Sequence, residues 1–168
     1  WFDHNPESEL MKKCIQSWKK YCPDFEIKRW DESNYDVNSC DYIKEAYEAK
    51  KWAFVSDYAR FDILSKYGGI YLDTDVELLK SLNSIVEKGQ FFALENELYD
   101  SVAPGLGMAA FPNDNLIIKI LADYKKSHFI LKNGLYDETP VGKRLVDRFL
   151  LKDGLKDVKG IQEIDDFK

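Results

Sequence analysis

Two aspartates, Asp73 and Asp75, follow the apolar stretch Ile70-Tyr71-Leu72, which predicts a short buried strand. In α/β sheets, ligands usually bind at the edge where such strands end. Magnesium and similar hard cations prefer oxygen ligands and commonly combine one or two carboxylates with phosphate oxygens of a substrate. The pair therefore indicates a divalent-metal site completed by a diphosphate, although a solvated turn also explains an isolated D-x-D pattern.

A second polar group, Ser56, Asp57 and Arg60, lies on a helix predicted over residues 52–67. Asp57 and Arg60 are three residues apart and therefore share one helix face. An ordinary intrahelical ion pair explains them in isolation, at a gain of only a few tenths of a kcal/mol. Their closeness in sequence to Gly68-Gly69 and the aspartates favours one shared site.

The elements that would position these groups alternate between helices and strands. Helical spacing of apolar residues and helix-ending signals predict helices over residues 5–21, 41–48, 52–67, 115–126 and 141–150. Short apolar or alternating runs predict strands over residues 25–30, 70–72, 91–94 and 108–111. This order predicts an α/β layered fold, and the length of 168 residues predicts a single domain over 1–168.

Composition excludes several classes of protein. The chain is 45% hydrophobic and 32% charged, and no apolar run is long enough to span a membrane. A formal net charge of -6 argues against a nucleic-acid partner, which requires a surplus of Lys and Arg. Three cysteines, odd in number and without C-x-x-C spacing, favour a reduced, cytoplasmic setting over a disulfide framework.

The joint pattern is more specific than D-x-D alone. Residues 53–60, Ala-Phe-Val-Ser-Asp-Tyr-Ala-Arg, and residues 66–75, Lys-Tyr-Gly-Gly-Ile-Tyr-Leu-Asp-Thr-Asp, closely resemble the DXD sugar-transferase family. This family is glycosyltransferase family 32-like and includes capsular polysaccharide transferases and Och-type mannosyltransferases, with the glucosylating clostridial toxins as distant relatives. The resemblance extends from Trp1 to about Tyr124 and fades beyond.

The resemblance implies a GT-A-like, Rossmann-like nucleotide-sugar-binding domain with a mixed sheet flanked by helices. It also implies Mn²⁺ or Mg²⁺ as cofactor, retention of the anomeric configuration, and a nucleotide-diphosphate sugar as donor, with UDP favoured over GDP. A hexose or N-acetylhexosamine would pass to a saccharide or glycolipid acceptor, as in capsular polysaccharide biosynthesis. Peripheral association with the inner face of a membrane, through further segments or partner proteins, is compatible with such a role.

Matching positions in the motif imply four catalytic residues. Asp75 resembles the direct metal ligand, and Asp73 the residue that bridges the ribose and the metal. Asp57 would bind hydroxyls of the donor sugar. Arg60 would lie near the sugar and the diphosphate, where a fixed guanidinium offsets charge on the leaving group.

Three further positions are implied to bind the donor nucleotide. Ser56 would lie near the nucleotide, and Tyr71 would shape the pocket. Trp1 corresponds to the Trp that stacks on the base in the family, although a terminal residue without a ligand role explains it equally well. The opening strand of the family and its His- or Trp-containing C-terminal segment are missing, so we expect a domain truncated at one or both ends.

Two other functions remain as alternatives. A haloacid-dehalogenase-type phosphatase also places Asp-x-Asp after an apolar strand, with Asp73 as nucleophile, but it usually has Thr or Val where this chain has Glu77. That alternative explains neither Asp57 nor Arg60. A nucleotide-sugar-binding scaffold that lacks turnover is the non-enzyme alternative, and nucleotide binding without sugar release would identify it.

Weaker candidates are better explained by structure than by function. The pair Glu95-Asn96 and the glycine-containing segment 101–108 are typical of turns, although either could contact a donor or acceptor. His4 and His128 lack a partner at ligand spacing and are predicted to lie on the surface. Trp52, next to the motif helix, is the aromatic residue that could contact a sugar.

Overall fold

The computed structural model describes residues 2, 6–96, 98, 101–164 and 167. Its helices are α1 (Glu9–Tyr21), α2 (Asp41–Glu48), α3 (Trp52–Tyr67), α4 (Asn83–Val86), α5 (Asn115–Tyr124) and α6 (Val141–Leu145), which continues into a π-helical turn (Val146–Leu150). Its strands are β1 (Gly69–Tyr71), β2 (Phe91–Phe92) and β3 (Met108–Ala110). No helix in these described ranges is long and apolar enough to cross a membrane.

The predicted helices form, with differences at their ends. Helix α1 begins at Glu9 because the Ser8 side chain accepts the backbone N–H of Met11, and it ends at Tyr21 as predicted. The predicted start at Asn5-Pro6 is wrong at Pro6, and Asn5 lies outside the described residues. Helices α2 and α3 have the predicted bounds, whereas α5 ends two residues before the predicted end.

The sheet corrects the prediction of a mixed sheet. Strand β3 lies between β1 and β2 and is antiparallel to both, with Ile70 opposite Ala109 and Phe92 opposite Met108. Among the described residues, the parallel pairing is limited to one isolated bridge between Gln90 and Phe167. The architecture is therefore α/β, with a small antiparallel sheet packed against helices.

The strand predicted over residues 25–30 does not form. Its alternating pattern does not correspond to a buried face, because Phe25 and Ile27 are both exposed. Trp30 instead anchors the segment through its ring, whose centroid lies 5.2 Å from that of Tyr67 and 6.5 Å from that of Tyr35. Side-chain packing thus replaces strand pairing in this part of the chain.

Helix α3 lies at the centre of the hydrophobic core. Buried side chains occur around much of its circumference, including Val55, Tyr58, Ala59, Phe61 and Leu64, as expected of a helix covered on several sides. Tyr124 of α5 packs against Tyr58 and Phe61, with centroid separations of 5.8 and 6.2 Å. A helix held in this way provides a rigid base for polar side chains at its surface.

Candidate active site

The end of α3 brings the two predicted groups of polar residues together. Gly68 adopts a φ of 66° and donates its N–H to the carbonyl of Leu64 at 2.8 Å, which terminates the helix. A Cβ at Gly68 would lie 2.7 Å from Pro112 Cδ, so close packing also favours glycine there. The chain then reverses into β1, and Asp73 follows two residues after this strand.

An ion-paired cluster joins α3 to Asp73. The Arg60 Nη2 atom lies 2.8 Å from Asp57 Oδ1 and 3.4 Å from Asp73 Oδ1. Arg60 also donates from Nε to the Ser56 carbonyl and from Nη2 to Ser56 Oγ, at 3.1 and 3.3 Å. Arg60 is only 3% exposed, so its guanidinium has one fixed orientation between the two carboxylates.

Tyr71 and Gly105 fix the position of Asp73. The Tyr71 hydroxyl donates to Asp73 Oδ1 at 2.7 Å, and its ring lies 4.6 Å from Arg60 Cζ. The Asp73 N–H donates to the Gly105 carbonyl at 2.8 Å. A Cβ on Gly105 would lie 2.0 Å from Asp73 Oδ2, so only glycine permits this approach.

Helix α1 holds the chain that leaves the aspartates. Trp18 donates its indole N–H to the Val76 carbonyl at 2.7 Å, and Leu78 donates its N–H to Ser17 Oγ at 2.8 Å. The intervening Glu77 pairs with Lys13, also on α1. The turn that carries Asp75 is therefore tied to a second helix immediately after that residue.

Asp75 differs from the other acids of the site. Its side chain is exposed, and it makes no hydrogen bond or ion pair to the part of the chain that the structure describes. The Asp73 carboxylate, by contrast, is 38% exposed and uses Oδ1 for Tyr71 and Arg60. The Asp75 carboxylate is thus available to an external ligand, whereas one oxygen of Asp73 is already bound by Tyr71 and Arg60.

These side chains line one cleft with a volume of about 960 Å³, which is in the size range of ligand sites. All the predicted site residues that the structure describes contribute to it: Ser56, Asp57, Arg60, Tyr71, Asp73 and Asp75. The predicted base-stacking residue, Trp1, lies outside the described residues. The sequence pattern thus predicted a group of side chains that the fold brings together in one cleft.

Burial controls the charge state of Asp57. Removal from water raises the pKa of Asp57 to about 6, although the adjacent Arg60 guanidinium opposes the shift. Burial likewise raises the pKa of Tyr71, so this phenol stays protonated and keeps donating to Asp73. For Arg60, burial disfavours the charge, but Tyr71, Asp57 and Asp73 outweigh it and raise the pKa.

The protein side chains of this cleft supply only part of a metal coordination shell, and a bound substrate would have to supply the rest. In the described part of the chain, no three His, Cys, Asp or Glu side chains are grouped closely enough to hold a metal ion. Asp75, with its free carboxylate, and Asp73, with Oδ2 free of protein hydrogen bonds in the described structure, supply hard oxygen donors. Such a pair fits Mg²⁺ or Mn²⁺ when phosphate oxygens and water complete the coordination.

Several cleft residues were not predicted, or were predicted only weakly. Trp52 and Glu95, weak candidates from sequence, both line the cleft, as do residues 140–142, which the pattern gave no reason to include. The Pro104-Gly105 pair was a usable signal, because a close backbone approach often requires glycine. His128 lies elsewhere and pairs through Nδ1 with Glu45 at 2.7 Å, while His4 is outside the described residues.

Comparison with known proteins identifies the family. Residues 8–92, half of the chain, match a family model described as the glycosyltransferase sugar-binding region containing the DXD motif. The matched range includes every described site residue from Ser56 to Asp75. No curated protein and no solved structure matches the chain. With its D-x-D aspartates at the edge of a ligand-sized cleft, the chain belongs to the DXD-containing glycosyltransferase sugar-binding family.

Proposed function

We propose that this chain is a metal-dependent, retaining glycosyltransferase that moves a hexose or N-acetylhexosamine from a nucleotide-diphosphate sugar to a saccharide or glycolipid acceptor. UDP is the favoured nucleotide and GDP the alternative. The observation that carries the proposal is the placement of Arg60 between Asp57 and Asp73, in the cleft that Asp75 also lines. One catalytic domain over 1–168 is part of this proposal, supported by a core that includes Phe2 and Phe167. A GT-A-like arrangement is also part of it and rests on the family match.

The charge of the cleft supports metal dependence. Five carboxylates line it, whereas Arg60 is its one cationic side chain among the described lining residues; the acids are Asp57, Asp73, Asp75, Glu77 and Glu95. An anionic diphosphate would meet net repulsion in such a cleft unless a cation entered with it. Asp75 and Asp73 would hold Mn²⁺ or Mg²⁺, which would offset negative charge on the diphosphate.

The protein's own side chains would orient the donor. Asp57, ionised above about pH 6, would accept hydrogen bonds from hydroxyls of the transferred sugar. Arg60 Nη1, which makes no hydrogen bond to the described residues, would donate to the departing diphosphate and stabilise its developing charge. Ser56, partly exposed beside Arg60, would contact the nucleotide.

Acid–base chemistry needs no additional side chain in this proposal. The bond between the anomeric carbon and the diphosphate oxygen breaks, and a bond to the acceptor hydroxyl oxygen forms on the same face of the sugar. The acceptor proton passes to an oxygen of the departing diphosphate. The role of Tyr71 is to hold Asp73 in place through its hydroxyl.

The decisive experiment is a calorimetric titration of UDP and GDP, each with and without Mn²⁺, against the wild type and Asp75→Asn. We expect one nucleotide to bind only with metal and the variant to lose this binding. Asp24→Asn, an exposed substitution with the same charge change away from the cleft, serves as the matched control. Metal-independent binding, or unchanged binding by Asp75→Asn, would refute the metal assignment.

Turnover separates the enzyme from the two alternatives. Release of sugar from the bound donor is expected of a transferase, since water can replace a missing acceptor slowly. Nucleotide binding without any sugar release would identify a scaffold. Release of inorganic phosphate from a phosphate monoester, lost in Asp73→Asn, would instead identify the phosphatase.

A further inference from the structure

The cleft has lining residues that the proposed donor chemistry does not use. Six of these residues, all uncharged, are Trp52, Ala103, Pro104, Leu106, Pro140 and Val141. Glu95 adds one exposed carboxylate to them. We define the acceptor wall as Trp52, Glu95, Leu106 and residues 140–142.

The chemistry of the acceptor wall fits an uncharged carbohydrate. Trp52 packs edge to face against Tyr47, with centroids 5.3 Å apart, which fixes an aromatic ring at the cleft. Leu106 is 45% exposed and offers a further apolar surface. Sugar rings carry C–H groups that pack on such surfaces, while hydroxyls can donate to the Glu95 carboxylate.

Charge narrows the ligand class further. In the described lining, Arg60 is the one cation, and it already pairs with Asp57 and Asp73. An acidic sugar at the wall would therefore face Glu95 without a positive partner of its own. Uncompensated like charges in a partly enclosed site are unfavourable, so the wall selects against anionic saccharides.

A buried arginine holds part of the wall in place. Arg144, 1% exposed, is bonded through Nη2 to Asp137 and through Nη1 to Asp123 Oδ2 at 3.0 Å. Asp137 precedes residues 140–142 and Arg144 follows them, so the contact between these two side chains holds the two ends of the segment together. The contact of Arg144 with Asp123 attaches the segment to α5. The fixed segment then abuts the neighbouring loop, because a Cβ on Gly142 would lie 2.1 Å from the Val102 carbonyl oxygen.

We propose that the acceptor wall binds a neutral saccharide as the acceptor of the reaction, and that Arg144 is its positioning residue. The inference rests on the proposed function, because the same cleft must hold the donor. It goes further by assigning the acceptor class and the residues that select it. Trp52 provides stacking, Glu95 accepts hydroxyls and repels acidic sugars, and Arg144 sets the position of residues 140–142.

Saturation-transfer NMR with simple glycosides tests this assignment in the full chain. The probes are the methyl glycosides of glucose, galactose and mannose, with methyl glucuronoside, methyl galacturonoside and methyl mannuronoside as acidic counterparts, all with UDP and diamagnetic Mg²⁺ present. We expect at least one neutral glycoside to bind and its acidic counterpart to bind at least about tenfold more weakly, equivalent to about 1.4 kcal/mol. Binding of no neutral glycoside, or equal binding of the acidic form, would overturn the proposal.

Variants assign the effect to the wall. Trp52→Ala is expected to weaken glycoside binding about tenfold and Trp52→Phe much less, since the smaller ring still stacks. Glu95→Gln, at an exposed site, should reduce discrimination against the acidic probe. Wild-type affinity in Trp52→Ala, or unchanged discrimination in Glu95→Gln, would contradict the assignment.

A matched pair of arginine variants tests positioning. Arg144→Lys keeps the charge but loses the forked contacts, so glycoside binding should weaken about tenfold while UDP binding stays within about twofold. Arg148→Lys is the matched control, because exposed Arg148 shares Asp123 at 2.6 Å but does not contact Asp137. Equal loss of UDP and glycoside binding in Arg144→Lys would show a general structural role and contradict the positioning role. If Arg144→Lys does not fold, the Trp52 and Glu95 variants still test whether the acceptor wall binds the glycoside. Absence of both UDP and GDP binding in the wild type would refute the proposed function separately.

Discussion

Two buried arginines, Arg60 and Arg144, occupy similar surroundings in different parts of the molecule. Each guanidinium is almost fully buried and lies 4.6 Å from a tyrosine ring, Tyr71 for Arg60 and Tyr124 for Arg144. Each also contacts two aspartates. The similarity allows the two clusters to be compared group by group.

The two clusters differ in the position of the arginine nitrogen that has no hydrogen-bond partner among the described residues. In Arg144 the atom without a hydrogen-bond partner in the described structure is Nε, which is fully buried. In Arg60 it is Nη1, on a residue that lines the cleft. A buried arginine among acids is therefore not sufficient evidence of a functional site, and a donor available to a ligand is the informative feature.

The largest expected effect comes from the metal pair, which has no counterpart beside Arg144. Asp75→Asn should lower metal-dependent donor turnover on the order of 1,000-fold, because a charged oxygen ligand is lost. Its free energy of unfolding should stay within about 0.5 kcal/mol, since the side chain is exposed. Steady-state turnover and urea unfolding measure both quantities, and turnover like that of the wild type would remove the metal role from Asp75.

Substitution of Arg60 should mainly reduce turnover, whereas substitution of Arg144 should mainly reduce stability. Arg60→Lys should lower turnover about 100-fold, because lysine lacks the forked donors that would bind the leaving diphosphate. Arg144→Met should instead lower the free energy of unfolding by about 1–3 kcal/mol, since the half-buried Asp137 loses its arginine partner while Asp123 keeps Arg148. If Arg144→Met remains as stable as the wild type, the contrast between an arginine that contacts the donor and one that holds other residues in position fails.

A smaller loss is expected from Gly105→Ala. The added methyl would meet Asp73 Oδ2 at 2.0 Å and must displace the carboxylate that Arg60 and Tyr71 align. Displacements of about 1 Å at a catalytic group can reduce rates by up to about 100-fold, and we expect tens of fold here. Gly107→Ala, whose added carbon would have its nearest neighbour at an ordinary contact distance of 3.5 Å, is a control for the change of residue type. Equal turnover in both variants would show that Asp73 tolerates movement.

The weakest effect concerns pH and distinguishes Asp57 from ordinary surface acids. Burial raises the pKa of Asp57 from 3.8 to about 6, so the residue loses its charge as the pH falls through this value. The apparent kcat/KM for the donor should therefore fall by up to about tenfold per pH unit below pH 6. In Asp57→Asn this acid limb should disappear from the remaining activity, and its persistence would assign the limb to another group.

The same raised pKa affects stability with a defined sign. Between about pH 4 and pH 6 the folded chain holds the Asp57 proton more tightly than the unfolded chain does. The contribution of Asp57 to the free energy of unfolding therefore decreases as the pH rises through this window. Comparing wild type and Asp57→Asn by urea unfolding at both ends of the window isolates this contribution.

Local sequence was sufficient for the longer helices and for the motif cluster, whereas the short helix α4 was not predicted. Ser56, Asp57 and Arg60 lie on α3, and the end of this helix, the turn at Gly68 and strand β1 connect them to Asp73 and Asp75. Short-range spacing therefore determines their proximity. The strand prediction over residues 25–30 failed because alternation of residue types does not show which partner strand is available. The prediction of a mixed sheet was wrong for the same reason, because strand pairing depends on residues that are far apart in sequence.

The remainder of the cleft could not be predicted from spacing. Residues 140–142 reach the site through the contacts of Arg144 with Asp123 and of Gly142 with Val102, which are 21 and 40 residues apart. No local pattern distinguishes Arg144 from the exposed Arg148 four residues later. Only the folded structure shows which of them is buried among acids.

The hydrogen bond from Trp18 to Val76 has a practical consequence. It places one of the four tryptophans of the chain against the residue that follows Asp75. Indole fluorescence depends on the hydrogen bonding and polarity around the ring, so ordering of this turn by a ligand should change the emission of Trp18. The part of the ligand-induced emission change that is lost in Trp18→Phe would therefore report ligand arrival at the aspartates, without a labelled donor.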